Sequence, residues 1–338
     1  MQTACRIIAA ALVAGYLAGG CANDKPEPAG PIVPTGPVVI GDYTISTLHL
    51  GWRLLAVAVD SDTHTAVVTD REQDGKDTVF LVDTSTRSIT ATIPGHKTDR
   101  IAIDAVNHIA YVNSYEGLLL VDTNSRATVG SIEVPGNTLD VAVDPDTHTA
   151  FVAINVVGLG VVDLAARKFR WAVGPGPGSA SNDTAVAADP VSHSVYMTTG
   201  VDLWIFGAPK PTKPDGQVFI DLGPAPVAVD PTTHLIYAAG EKDGVGRLAV
   251  VDPATRAVTA TVPMGRKPSS IAVDPTDHTV YVTDYNDGTL SVVDATTNTV
   301  KATVPVGRKP LGVAVDPANH TIYVTSYEDG TLSIITRR

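Results

Sequence analysis

The sequence predicts an all-β fold, a seven-bladed β-propeller whose ring is closed by an N-terminal strand, and three observations carry that expectation. Seven times an aspartate is followed four residues later by a histidine: Asp60/His64, Asp104/His108, Asp144/His148, Asp189/His193, Asp230/His234, Asp274/His278 and Asp316/His320. Successive aspartates stand 44, 40, 45, 41, 44 and 42 residues apart, and a repeat of about forty residues marks an array of supersecondary units. Each unit reads as four short strands with no helical periodicity, which is the make-up of a propeller blade.

The first strand of a unit runs into the aspartate and always places an alanine two residues before it, from Ala58 and Ala102 to Ala272 and Ala314. Val and Ile flank that alanine, so one side of the strand shows a methyl group and the other branched bulk. A small side chain suits the crowded innermost strand, where blades converge. The second strand follows the histidine, with an aromatic three places on at Tyr111, Phe151, Tyr196, Tyr237, Tyr281 and Tyr323; Val67 is the exception. A hairpin comes next, often Asp-Gly as in Asp74-Gly75, Asp243-Gly244, Asp287-Gly288 and Asp329-Gly330, a dipeptide that supplies positive φ. The third strand ends in Asp83, Asp122, Asp163, Asp252 or Asp294, and a fourth such as Val258–Val262 or Val300–Val304 leads into Pro and Gly.

The ends of the repeat region complement each other. The last unit stops at Arg338 after its third strand, while a spare strand, residues 43–50, precedes the first unit. Pairing the two completes blade seven and hides two open sheet edges.

These residues resemble the YVTN-type β-propeller repeat family. The resemblance rests on Ile271-Ala-Val-Asp-Pro275, Tyr281-Val-Thr-Asp284, Asp287-Gly-Thr-Leu-Ser-Val-Val-Asp294 and Val300-Lys-Ala-Thr-Val-Pro-Val-Gly307, which blade seven nearly repeats. It spans about residues 43–338 and is loosest over residues 198–221 of blade four. It implies the propeller fold and an envelope setting, and it names no activity, because one fold hosts many functions.

Residues 1–20 read as a lipoprotein signal peptide. Arg6 precedes a short apolar run from Ile7 to Leu17, too short for a finished membrane span, and Leu17-Ala-Gly-Gly-Cys21 resembles a bacterial lipobox. Cleavage before Cys21 leaves that thiol to carry lipid, and no second cysteine remains for a disulfide. Residues 21–42 then form a Pro-rich tether (Pro26, Pro28, Pro31, Pro34, Pro37), and residues 43–338 the propeller. The expected location is the extracytoplasmic side of a bacterial membrane, held by the lipid on Cys21, with an envelope polymer or a protein as possible partner. A monomer is expected.

The net charge is −12, and it becomes more negative once Arg6 is removed. That excludes general nucleic-acid binding and adhesion to anionic lipid. Seven of the nine histidines belong to the repeated pairs, and seven equivalent copies do not make one active site. They read as turn-capping partners, and a single carboxylate with one imidazole is an incomplete metal site, so no metal and no cofactor are expected.

In this family the ligand face carries the fourth-to-first and second-to-third connections, the face opposite the aspartate–histidine turns. There the loops before blades six, seven, one and two bring Arg266, Lys267, Arg308, Lys309, Arg53, His96, Lys97 and Arg100, and hairpins add Tyr115, Tyr285 and Tyr327. A cationic, aromatic crescent on an acidic protein fits an anionic or saccharide-like ligand; the competing reading is solvated filler of the repeat. There is no G-x-S-x-G, no C-x-x-C-H and no histidine cluster, so no catalytic residue is assigned. A lactonase-like hydrolase or lyase at the same face, with His96 and Asp99 as acid and base, is the alternative function.

Expressed in a bacterial host, the protein should partition into detergent and carry lipid, and Cys21→Ala should release it or leave the precursor uncleaved. Equal soluble release of both forms overturns the lipoprotein reading.

Overall fold

The computed structural model describes residues 37–72, 77–95, 97–114, 116–174, 184–207, 210–223 and 225–338. Cys21, the signal peptide, most of the tether, His96, Tyr115 and Asp74-Gly75 lie outside the described residues.

Seven antiparallel sheets form the molecule, and among the described residues there is no helix. Blade one is typical: Leu54–Asp60, Thr65–Asp70, Thr78–Asp83 and Ser88–Pro94 pair in chain order. The innermost strands touch one another in sequence order, and that of blade seven (Pro310–Asp316) touches that of blade one, so the ring is closed. Closure follows the expected route. Tyr43–His49 pairs antiparallel with Thr331–Arg337, with Tyr43 opposite Arg337 and His49 opposite Thr331. A strand from the stretch read as tether extends this edge: Val38–Ile40 pairs with Tyr43–Ile45, making blade seven five-stranded.

The core is divided into seven apolar clusters, one for each pair of neighbouring blades. The cluster between blades seven and one joins Tyr323, Leu332 and Ile334 to Leu54, Val57 and Val68, and the one between four and five joins Tyr196 and Leu203 to Ile236 and Ala238. The aromatic of each second strand packs toward the following blade, which explains its recurrence. Desolvation pushes the phenols of Tyr111, Tyr237 and Tyr323 up to about 12. With the apolar area shared between blades, no blade has a hydrophobic core of its own.

The aspartate–histidine turns tie the blades together. All seven aspartates are buried, and Oδ1 of each accepts a backbone N–H of its own turn, as from Thr232 (2.8 Å) to Asp230. All seven histidines are left-handed, with φ between 51° and 60°. The expected capping is therefore present for Asp, but the imidazole does not serve its own turn. Nδ1 donates instead to Oδ2 of the preceding blade's aspartate: His108 to Asp60 (3.1 Å), His193 to Asp144 (2.9 Å), His234 to Asp189 (2.6 Å), His278 to Asp230 (2.8 Å) and His320 to Asp274 (2.7 Å). In the other two cases an asparagine just before the histidine occupies Oδ2 first, Asn107 on Asp104 and Asn319 on Asp316, both at 2.8 Å. Asp274, Asp277 and His320 come close enough to resemble a cation site, but His320 serves Asp274 and Arg337 pairs with Asp277 (3.3 Å).

An outer set of contacts repeats the device. Third-to-fourth strand turns also end in a left-handed residue, Arg87, Arg126, Arg167, Arg256 or Asn298. Arg87 reaches Ser46 Oγ of blade seven (2.7 Å), Arg126 reaches Asp83 (3.3 Å) and Arg167 the Val129 carbonyl (3.0 Å), each on the preceding blade.

Deleting residues 1–50 should strip the outer strand from Thr331–Arg337, lower stability by several kcal/mol and promote aggregation, whereas deleting residues 1–36 should leave the melting temperature nearly unchanged. Thermal unfolding with light scattering checks this, and equal behaviour of the two truncations overturns the closure argument.

Stability should also fall as pH rises from 5 to 8. Burial pushes the fully enclosed Asp284 carboxyl from 3.8 up to about 6, against hydrogen bonds from Ser291 (2.7 Å) and Thr289 (3.1 Å). Such a group disfavours the folded state above its folded value, and the penalty fades as pH falls toward 3.8. His320 is raised above 6.5, first by its bond to Asp274, so its contribution is complete below 6.5 and lost as pH rises through the higher folded value. Asp189 and Asp230 oppose this only at low pH: burial raises them, but hydrogen bonds from Ser192, Thr232 and the next histidine outweigh it, so their contribution is lost below about 3.8. Asp284→Asn should remove part of the slope, since the Asp140 carboxyl, also pushed up to about 6 by desolvation, contributes with the same sign. It should gain up to about 3 kcal/mol at pH 8, at about 1.4 kcal/mol per pKa unit. Denaturant unfolding across pH measures it, and an unchanged slope overturns the assignment to Asp284.

Candidate functional site

The inner strands run from the loop face to the turn face, so the residues preceding each first strand crowd around the mouth of the axial channel. Their backbone is fixed before any ligand is considered. In Gly265-Arg266-Lys267-Pro268 the Arg266 backbone N–H and Nε both donate to Asp287, each at 2.7 Å. Arg308 repeats this on Asp329 (2.7 and 2.6 Å), and Asp70 holds the Trp52 and Arg53 N–H groups in blade one. Lys267 and Lys309 are left-handed, φ 57° and 53°, and their carbonyls accept the N–H of Tyr285 and Tyr327 at 3.0 Å.

The cationic crescent therefore separates into two kinds of side chain. Arg266 and Arg308, 65% and 69% exposed, are neutralised by the hairpin aspartates of their own blades, and Lys309 pairs with Glu328. Each of these three side chains thus serves the loops of its own blade. Lys267 instead lies over the Tyr285 ring, 4.6 Å from its centroid, and Arg53 over Tyr327 at 5.3 Å. Arg100 is half-buried, and among the described residues no carboxylate lies within ion-pair distance of its guanidinium or of the Lys267 ammonium.

A funnel of about 870 Å³ opens at this mouth. Arg100, Lys267, Tyr285 and Tyr327 line it; Arg53, Lys97, Arg266, Arg308 and Lys309 do not. Among the described residues, Arg100 and Lys267 face the cavity without a carboxylate partner, whereas Arg53, which has no ion pair either, lies over Tyr327 outside it. Its wall also contains Asp99, named above as an acid–base candidate, and Asp243 of a hairpin, together with Asp140, Glu241, Ser269 and Ser270, which the sequence reading did not single out.

One repeat position explains the funnel. Four residues before each turn aspartate stand Ala56, Arg100, Asp140, Ala185, Pro226, Ser270 and Gly312, and all seven line the cavity. Small residues prevail because neighbouring blades nearly touch here: a Cβ at Gly312 would stand 2.8 Å from the Leu55 carbonyl oxygen and 2.9 Å from the Ala56 Cα. Register shifts at Thr138/Asp140 and Pro268/Ser270 bend the strands at this level and re-aim the side chains. Only blades two and three place charge in the ring, Arg100 and Asp140 side by side.

Asp140 is held rigidly. Oδ1 accepts the Val141 N–H (2.9 Å) and Oδ2 the Val186 N–H of blade four (3.0 Å). Desolvation pushes its carboxyl up to about 6, with Arg100 and the two N–H groups drawing it back. Next to Arg100, the buried Asn113 amide has no partner for either terminal atom among the described residues. Its backbone N–H donates to the Arg100 carbonyl (2.9 Å). Thr69, Thr198 and Thr325 at the equivalent position each donate a hydroxyl to the next blade's backbone, at 2.6–2.9 Å.

No family model matches the chain, and no curated protein matches it in sequence. Among 1548 matching chains of solved structures is the hydrazine synthase of Kuenenia stuttgartiensis, 14% identical, covering 86% of this chain and 98% of that one with a TM-score of 0.73. At that identity the likeness carries the architecture alone: this chain is a seven-bladed β-propeller.

Proposed function

We propose that the protein is a non-catalytic binding propeller of the bacterial envelope, of the YVTN type, anchored by lipid on Cys21, that takes an anionic or saccharide-like ligand into the loop-face funnel. The observation that carries the reading is that Arg100 and Lys267 face the cavity without a carboxylate partner among the described residues, whereas the rim cations Arg266, Arg308 and Lys309 are neutralised within their own blades. The half-buried Arg100 guanidinium recognises an anion strongly, because competing water is partly excluded, and the exposed Lys267 ammonium adds an attraction that salt screens. Tyr285 and Tyr327 add flat amphipathic surface with hydroxyls, and the volume lies within the range of small-molecule sites.

A hydrolase or lyase at the same face is the second reading. Asp140, a carboxyl at about 6 in the cavity wall beside Arg100, has the properties of a general acid or base near neutral pH.

A screen of envelope polymers, acidic glycans and acidic proteins should show tenfold or greater loss of binding with Arg100→Glu or Lys267→Glu, and weakening as salt rises. Arg266→Glu and Arg308→Glu should change affinity little, because those side chains serve their own loops. Profiles indistinguishable between wild type and the funnel variants overturn the reading. Turnover of a lactone or glycan that Asp140→Asn reduces about a hundredfold or more, with binding retained, would establish the enzyme instead.

A further inference from the structure

We infer that the funnel is a site for acidic saccharides, in which Arg100 takes the sugar carboxylate and Asp140 accepts hydroxyl donors beside it. This rests on the reading of the loop face as a ligand site and narrows it to one chemistry.

The argument starts from the ring of seven equivalent positions. Five are Ala, Ala, Pro, Ser and Gly, so the repeat needs little bulk and no charge there. The Arg100 charge at blade two therefore exceeds what the fold demands, while Asp140 also links blade three to blade four through the Val186 N–H. The two groups do not neutralise each other by contact, since no ion pair joins them, although Arg100 does act on the Asp140 carboxyl through space. Arg100 keeps its planar set of N–H donors for a carboxylate, which it can grip through two parallel bonds. Asp140 is an acceptor fixed by two backbone N–H groups, with lone pairs left over at the cavity wall.

Across the ring from this pair lies blade six, where Tyr285 lines the cavity beside Ser269 and Ser270. The two serine hydroxyls are engaged within the fold, Ser269 Oγ donating to the Pro310 carbonyl (2.7 Å) and Ser270 Oγ accepting the Val313 N–H (3.4 Å). A fixed carboxylate acceptor and aromatic surface are groups that recognise a polyhydroxylated ring. A simple inorganic anion satisfies Arg100 and leaves Asp140 and the Tyr285 face unused. A neutral sugar uses these groups but leaves the half-buried guanidinium without a counter-charge. An acidic sugar satisfies both. An amino-acid zwitterion can pair with both charges but leaves the aromatic face and most of the funnel of about 870 Å³ unfilled.

Calorimetric titration with galacturonate disaccharide, its neutral galactose counterpart, sulfate and a free amino acid tests the inference. Wild type should prefer the acidic disaccharide to the neutral one by tenfold or more. Arg100→Gln should abolish that preference and leave the neutral sugar within about twofold, and Arg100→Lys should restore only part of it. Asp140→Asn should weaken both sugars alike, with an unchanged unfolding midpoint for Arg100→Gln as the check on folding. Equal binding of the two sugars by wild type, a preference that survives Arg100→Gln, or tighter binding of the amino acid or of sulfate overturns the inference. If another ligand binds and responds to Lys267→Glu, the acidic sugar falls and the binding reading stands. If nothing binds and every variant is silent, both fall.

Discussion

The ring depends on a buried carboxylate that answers to two blades. One oxygen of each turn aspartate closes its own turn, and in five of seven cases the other receives the imidazole of the next blade. A turn that loses its carboxylate therefore loses its hold on its neighbour as well. Hydrogen bonds to charged groups are worth about 1.5–3 kcal/mol each, and less where the imidazole is partly exposed. Their larger role is directional. Apolar surface between blades would tolerate sliding, whereas an imidazole held to one oxygen sets the angle and height at which adjacent blades meet.

A scaffold made of copies concentrates individuality where copying fails. The same position in the first strand is small in five blades and charged in two, and those two adjoin. The same second-strand position bonds to the next blade through Thr69, Thr198 and Thr325 but carries an unpaired amide at Asn113. Asp140 still fastens blade three to the Val186 N–H of blade four. Both departures lie at the interface of blades two and three, which gives the channel mouth its adjacent pair of opposite charges.

The architecture was legible because periodicity, alternation and turn chemistry all pointed to one answer, and the closing strand could be found by asking which unit lacked a fourth strand. The partners of the histidines were not, because the relevant spacing is 45–49 residues between blades and not the four residues that catch the eye. A signal did exist: asparagine just before the histidine at Asn107 and Asn319 marks the two cases where the imidazole is displaced. At the candidate site, Arg100, Lys267, Tyr285 and Tyr327 were found as loop residues. Arg266 and Arg308 looked equally available because a clamp 21 residues away leaves no local trace. Asp140 was missed because it sits within a strand, where alternation alone assigns it a face and a β-bulge changes that face.

The interface between blades two and three lacks the imidazole bond on the turn face, since Asn107 fills Asp104. On the loop face, where Asn113 stands in for threonine, the hydroxyl bond comes from the other side, Thr138 of blade three donating to the Ser114 carbonyl (3.2 Å). Between blades seven and one the imidazole bond is replaced by Ser61 on Asp316 (2.6 Å), and on the loop face Thr325 bonds to Leu55. The joint of blades two and three is thus fastened by a different set of groups from its neighbours, with Arg167 on the Val129 carbonyl at its outer edge. It carries Arg100 on one lip and Asp140 on the other, so whatever bridges the two charges also ties blade two to blade three.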